Sequence, residues 1–189
     1  MSRTTPQKIK LPKINLKHMA IIVGVLVLIA YIIAITKFTL FDFGLIIAFI
    51  LIGAASRLPE RFAPVALGIE LVSLFTVVSA IKYGPIAGIL VGAAAYILAS
   101  FYTIERPQDV AIAVLGFVGM AYFAPIAYVF FGQNLGFMAI ALTLGYDIIT
   151  GIFYFFMGYG LVSVVRFTVV HTTANFFIIS YLGAKLLGI

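Results

Sequence analysis

The amino-acid sequence predicts an all-α fold: a polytopic transmembrane bundle of about seven helices joined by short loops. Three observations carry this. Hydrophobic residues make up 64% of the 189 and charged residues only 10%, against roughly half and a quarter in soluble domains. The apolar residues fall into seven blocks, most of them close to the roughly 20 residues that a membrane crossing needs. The joints between blocks are short and built from Pro, Gly and charged residues, so successive helices must run antiparallel beside one another.

The chain divides into a basic arm, residues 1–17, and a transmembrane domain, residues 18–189. The arm carries Arg3, Lys8, Lys10, Lys13 and Lys17, a polybasic run that suits anionic lipid head groups and a cytoplasmic position better than nucleic acid. No nucleic-acid partner is expected. The apolar stretch Met19–Ile35 exceeds the roughly 7–15 residues of a signal-peptide core, and no small-x-small cleavage site follows it. It reads as a retained helix, Lys17–Thr36.

The remaining blocks are Phe43–Ser56, Ala63–Ile81, Gly84–Phe101, Val110–Phe131, Leu135–Tyr159 and Ser163–Leu187. Phe43–Ser56 is the shortest, and six crossings remain if it does not span. Proline and glycine punctuate the joints at Arg57-Leu58-Pro59-Glu60-Arg61, Tyr83-Gly84-Pro85, Arg106-Pro107, Gly132 and Gly158-Tyr159-Gly160, where each interrupts helical hydrogen bonding or frees the backbone. With the N-terminus inside and seven crossings, Arg57, Arg61, Arg106 and Arg166 join the five basic residues of the arm on the inner side. Only Lys37, Lys82 and Lys185 lie outside. That asymmetry predicts a multi-pass protein of the cell membrane with a cytoplasmic N-terminus.

Cysteine is absent, so thiol-ligated metals are excluded, and the two histidines, His18 and His171, argue against a multi-histidine site; no metal or cofactor is expected. No phosphate loop, His-Glu-x2-His motif or nucleophile elbow occurs, so the chain does not hydrolyse nucleotides by itself.

Two groups of residues stand out. Gly84-x3-Gly88-x3-Gly92 forms a glycine zipper on one helix face, and Ala30-x3-Ala34 is a second small-residue pair. Such faces let helix backbones approach closely, either within the chain or against another membrane subunit. The second group is ionisable. Charges near the bilayer centre cost roughly 2.5–3.5 kcal/mol on insertion scales, so they need a partner or a role. Glu70 and His171 are expected about 10–12 Å deep, and Asp147 and Asn175 about 16–18 Å, at 1.5 Å per helical residue. Thr168, His171, Thr172 and Asn175 share one stripe of the last helix. Asp147 is expected to pair with Asn175 or His171, and Arg166 to offset Glu70. Tyr96, Tyr122, Tyr146 and Tyr154 are candidate aromatic walls. Glu70, Lys82, Asp147, His171 and Asn175 are thus the candidate solute-binding residues, with a purely structural polar network as the other reading.

The run Ser73–Ser100, with Gly84, Pro85, Gly88 and Gly92, resembles the substrate-binding S subunits of energy-coupling factor transporters. The segment Val170–Asn175 is similar to their last helix, and Ala30-x3-Ala34 to the motif with which they dock on a coupling protein. That resemblance implies a solute-binding subunit working with other membrane subunits and an ATPase module. Its pocket would be open to the outside near Lys82-Tyr83 and Gln133-Asn134. Those subunits usually have six helices, which leaves the first block here as an extra one. His171-x3-Asn175 also resembles one motif of the membrane-embedded CAAX-type prenyl proteases, but the adjacent glutamates of that family are missing. Three functions follow as expectations. They are a solute-binding or transport subunit, a scaffolding subunit of a membrane complex, and an intramembrane hydrolase with a second acid beside His171. A catalytic role is the least supported of the three.

Overall fold

A computed structural model describes residues 38–62, 68–103 and 105–189. Among them the chain is all-α, with six helices. These are α1 (Leu40–Ser56), α2 (Val72–Tyr83), α3 (Pro85–Thr103), α4 (Pro107–Phe130), α5 (Leu135–Phe156) and α6 (Leu161–Ile178). A 3-10 turn, Leu58–Arg61, prolongs α1, and α6 runs on through a π-helical turn, Ile179–Gly183, into a last turn at Ala184–Leu187. The predicted helix Lys17–Thr36, with Ala30 and Ala34, and the basic arm lie outside the described residues.

Five segments are long and apolar enough to cross a membrane: Leu40–Arg61, Pro85–Thr103, Pro107–Phe130, Leu135–Phe156 and Leu161–Leu187. Their surfaces are inverted relative to a soluble protein. Leu115, Phe123, Ile149, Phe153 and Val165 point outward, while Ser73, Thr76, Thr143, Asp147, His171 and Asn175 are buried. Lipid-facing helices with a polar interior are the arrangement a bilayer requires. The chain is a multi-pass α-helical membrane protein.

Before Gly44, the described residues open α1 with a capping box. The Thr39 hydroxyl donates to the Asp42 carboxylate at 2.7 Å and accepts from the Asp42 amide at 3.1 Å, occupying a donor that has no helical partner.

Within the compact unit Gly44–Ile189, two spans differ from expectation. Phe43–Ser56 was the expected short segment, yet with its 3-10 extension it belongs to a 22-residue span. The short one is Ala63–Ile81, whose helix begins only at Val72 and has 12 residues. Two side-chain requirements explain the late start. Gly68 has φ +68°, and a Cβ there would lie 3.1 Å from the His171 Cβ, so the chain passes α6 in a conformation that favours glycine. Glu70 then accepts from the Val72 and Ser73 amides, acting as the cap from which α2 starts.

That half-length helix is the centre of the bundle, and every residue from Val72 to Ala80 is buried. The glycine zipper makes this possible. A Cβ at Gly88 would sit 2.6 Å from the Ala80 Cβ and 2.7 Å from the Thr76 carbonyl oxygen, and one at Gly92 would sit 2.5 Å from the Thr76 hydroxyl. Gly88 and Gly92 are therefore buried inside the chain, between α2, α3 and α4, whereas a Cβ at Gly84 would meet nothing within 4 Å. Gly84 ends α2 at φ +95°, and Pro85 opens α3 where no helical amide is needed.

The antiparallel order sorts the joints into two ends. Arg57, Arg61 and Arg106 lie at one, the arginine end, with Arg166 in the first turns of α6; Lys82 and Lys185 lie at the other, the lysine end.

Gly88→Val should destabilise the detergent-solubilised protein by about 1–3 kcal/mol, the usual range for overpacking. Gly119→Ala, where a Cβ meets nothing within 4 Å, should leave the melting temperature unchanged or raised. Equal melting of both variants in a thermal scan would contradict close packing of α3 on α2.

Candidate functional site

The buried start of α2 places Glu70 against α6. Its carboxylate takes the Ser73 hydroxyl at 2.6 Å in addition to the two amides, so the carboxylate is held by its own helix. His171, 2% exposed, stands opposite. Its Nδ1 meets Asp147 Oδ1 at 2.7 Å, and its Nε2 faces the Ser73 hydroxyl at 3.4 Å and Glu70 Oε1 at 3.5 Å. The Thr172 hydroxyl donates to the other Asp147 oxygen at 3.1 Å. Phe167, one turn earlier, stacks on the imidazole at 4.9 Å between centroids, and Tyr146 tilts against it at 5.5 Å. A proton on Nδ1 is donated to Asp147. A second proton, on Nε2, would make the ring an imidazolium bridging two carboxylates.

A second cluster lies toward the arginine end. Arg57, 5% exposed, donates through Nη2 to Glu60 at 2.5 Å and Glu105 at 2.7 Å. Its guanidinium lies 4.0 Å over the Tyr96 ring. The Tyr96 hydroxyl donates to Glu105 at 2.8 Å, and the Thr103 hydroxyl donates to the same carboxylate at 3.0 Å. The Nη1 group of Arg57 is buried without a partner among the described residues. Further out, Asp109 accepts from Arg106 at 3.0 Å and from the Tyr159 hydroxyl at 3.0 Å. Partial burial, and then the hydrogen bond to Asp109, push the Tyr159 phenol up. The hydrogen bond to Asp109 likewise raises the Arg106 guanidinium.

Between the two clusters is a cavity of about 470 Å³, within the range of roughly 300–1,000 Å³ typical of small-molecule sites. Glu60, Glu70, Glu105, Asp109 and Asp147 all line it, which is five of the six acidic residues in the chain. Its walls include Tyr96, Phe117, Tyr146 and Tyr154.

Of the residues singled out in the sequence, Glu70, Asp147 and His171 converge on the cavity floor, although different depths were expected for Glu70 and Asp147. Asn175 lies one helical turn beyond, fully buried, donating to the His171 carbonyl at 3.0 Å; it does not reach Asp147. Arg166 lines the cavity wall, but His171 and Ser73 meet Glu70 in its place. Tyr122 faces outward on α4. Lys82 is exposed at the opposite end, 5.4 Å over the Tyr83 ring. A more open concavity lies at that end, with Gln133, Asn134, Phe176 and Ser180, and it does not include Lys82.

Arg57, Glu60, Glu105 and Asp109 were read only as loop punctuation and topological charge. One signal was present: acids are so few that three of the six fall in or beside two joints. The Phe-x3-His element of the prenyl proteases was read as missing, but Phe167 stands four places before His171, overlapping His171-x3-Asn175 on α6.

Comparisons with protein-family models, with curated proteins and with solved structures gave no match.

Removing His171 strands Asp147 and Glu70, and breaking a buried pair typically costs about 3–5 kcal/mol. In a double-mutant cycle, Asp147→Asn and His171→Gln should therefore couple by about 1–3 kcal/mol in unfolding free energy. Additivity of the two substitutions within about 0.5 kcal/mol would show that the contact carries no energy.

Proposed function

We propose that this protein is a solute-binding or transport subunit whose ligand sits in the cavity between the Arg57 cluster and the Glu70–His171–Asp147 floor. One observation carries the reading. A helix begins inside the bundle rather than at its end, and the irregular segment before it, Gly68 to Leu71, borders a polar cavity. Non-helical backbone at membrane depth is tolerated where it is buried or lines a cavity, and interrupted helices commonly form transporter binding sites. The cavity also has the expected make-up of a solute pocket, with aromatic walls and a few placed polar groups. Partner subunits and an ATPase module belong to this proposal through the resemblance to energy-coupling factor S subunits.

The scaffolding reading is weakened at Gly88 and Gly92, which α2 and α4 cover, and rests on Gly84 and on Ala30 and Ala34, the last two outside the described residues. The hydrolase reading keeps one observation in its favour, since two carboxylates and an imidazole meet at the floor and Phe167, His171 and Asn175 share one helix. Water activation, however, needs a base free to take a proton, and His171 Nε2 faces the Ser73 hydroxyl and Glu70. Both Glu70 oxygens are occupied by the α2 amides and Ser73. Asp147 lies on the far side of the ring, bound to His171 and Thr172. The floor is built to hold charge in place rather than to move it onto water.

Charge asymmetry puts the arginine end, and with it the cavity mouth, on the cytoplasmic side. The chain is free of cysteine, so single cysteines report topology directly. In intact cells, Gln133→Cys should react with an impermeant maleimide and Leu58→Cys should be protected. The reverse pattern would turn the mouth outward, as the S-subunit resemblance implies, and overturn the assigned orientation. For the function itself, protein purified gently from its own membrane should carry a small polar molecule, detected by mass spectrometry. Asp147→Asn should lose it while still folded. Retention of the same molecule by that variant would remove the floor from the proposed site.

A further inference from the structure

We propose that Tyr159 is the latch of a gate, holding the start of α6 against α4 beside the mouth of the cavity. The opening needs no ligand, so the inference goes beyond the solute-binding reading and does not depend on it.

The cavity is closed at its floor. Glu70, Tyr96, Tyr146, Asp147, Thr150 and His171 all line it, and all six are buried. A molecule arriving at the mouth meets almost none of their surface while the walls stay as they are. One wall has to move.

The wall least held in place is the first half of α6. No residue from Leu161 to Val170 is buried, whereas His171, Asn175, Ile179 and Gly183 further along all are. That half nevertheless supplies Ser163, Val164, Arg166, Phe167 and Thr168 to the cavity lining. A segment with few buried contacts opens before the elements that anchor it. The joint leading into it is also free to turn. Gly158 has φ +87°, and a Cβ at Gly158 or Gly160 would meet nothing within 4 Å. Toward α5 the segment is seated, since a Cβ at Gly151 would lie 2.9 Å from Val164. The side that can part is the one toward α4.

Tyr159 stands between those two glycines and bridges to that side. Its hydroxyl accepts from Arg106 Nη2 at 2.5 Å and donates to Asp109 Oδ2 at 3.0 Å, and the guanidinium lies 5.0 Å from the ring centroid. Arg106 and Asp109 also bond each other at 3.0 Å, so the receiving end is set without the tyrosine. Tyr154, in the last turns of α5, adds a longer bond to the Asp109 carbonyl at 3.3 Å and meets the Tyr159 ring edge-on at 5.3 Å. Among the described residues no other hydrogen bond joins residues 157–170 to the start of α4. The grip of the α6 end on α4 is thus concentrated in one hydroxyl, which Tyr159→Phe removes while keeping the ring.

The test uses the full chain in lipid nanodiscs and the rate at which a small charged methanethiosulfonate modifies Thr150→Cys, followed by mass spectrometry. Modification should be slow with Tyr159 present. Adding Tyr159→Phe should speed it about tenfold, the change that losing a pair of ordinary hydrogen bonds makes in an opening equilibrium. Ala139→Cys, buried on α5 away from the cavity, should stay unreactive in both backgrounds. Equal rates at Thr150→Cys would overturn the latch. So would fast modification with Tyr159 in place, which would mean that no gate is shut, or a parallel rise at Ala139→Cys, which would mean that the whole bundle has loosened. Should Thr150→Cys fail to fold, spin labels at Leu58→Cys and Val162→Cys, both exposed, read the same motion. Their distance distribution should broaden toward longer separations in Tyr159→Phe, and an unchanged distribution would overturn the proposal. None of these readouts needs a bound solute, so the gate can fail while the solute-binding reading stands, and the reverse.

Discussion

The structure depends on one constraint: ionisable side chains taken out of water inside a membrane must find one another. A carboxylate or imidazole facing lipid would be prohibitively unfavourable, so Glu70, His171 and Asp147, from three separate segments, have to meet. Their meeting fixes the neighbouring elements. His171 on α6 is set against Asp147 on α5 at 2.7 Å, and Glu70 is drawn to the other side of the ring. Because Glu70 also holds the first amides of α2, the place where that helix begins is tied to the same contact. The bundle therefore has a buried helix of 12 residues where a full span could have stood.

The late start of α2 also borders the cavity, since Gly68 and Glu70, ahead of that helix, line it together with residues of α3, α4, α5 and α6. A chain of rings runs along it. Arg57 lies on Tyr96, which is 5.5 Å from Phe117; Phe117 is 5.0 Å from Tyr146, and Tyr146 is 5.5 Å from His171. The two charged clusters are thus joined along the cavity wall by tilted aromatics. Gly116 allows this, since a Cβ there would collide with the Tyr146 ring. Rigid rings with few rotamers hold a pocket open at little entropic cost.

The legible part of this fold was its membrane character, which follows from composition, and the limits of most helices, which follow from proline and glycine at the joints. Pro85 and Pro107 open α3 and α4 as their fixed φ and missing amide require, and Asn134 caps α5 by accepting from the Phe137 amide at 3.1 Å. The floor was also partly legible, because charged residues inside an apolar block must pair. The sequence did not reveal which residues would pair with which, since helix rotation and depth are set by tertiary packing. Depth counted from helix ends separated Glu70 from Asp147 by a turn, because it assumed that Ala63–Ile81 was helical throughout. Hydropathy cannot see that Glu70 sets the start of α2, as an apolar extended segment and an apolar helix score alike. Arg57, Glu60 and Glu105 were hidden for a different reason. Charges in a short joint read as solvated, and only the fold turns that joint inward over Tyr96.

Stability alone does not account for this polar interior. A single pair would satisfy His171, and a pair of apolar residues of the same volume would commonly hold the helices at least as well, since desolvating ions consumes most of what their attraction returns. The cavity adds three carboxylates to that floor, Glu60, Glu105 and Asp109, each set beside Arg57 or Arg106. Helix packing is meanwhile secured by other means, through Gly88 and Gly92 against α2 and the stacked Phe49–Phe75 pair, none of which touches the cavity. Small and aromatic residues thus close the bundle away from the cavity, while the Glu70–His171–Asp147 contact ties the start of α2 to α5 and α6 at its floor.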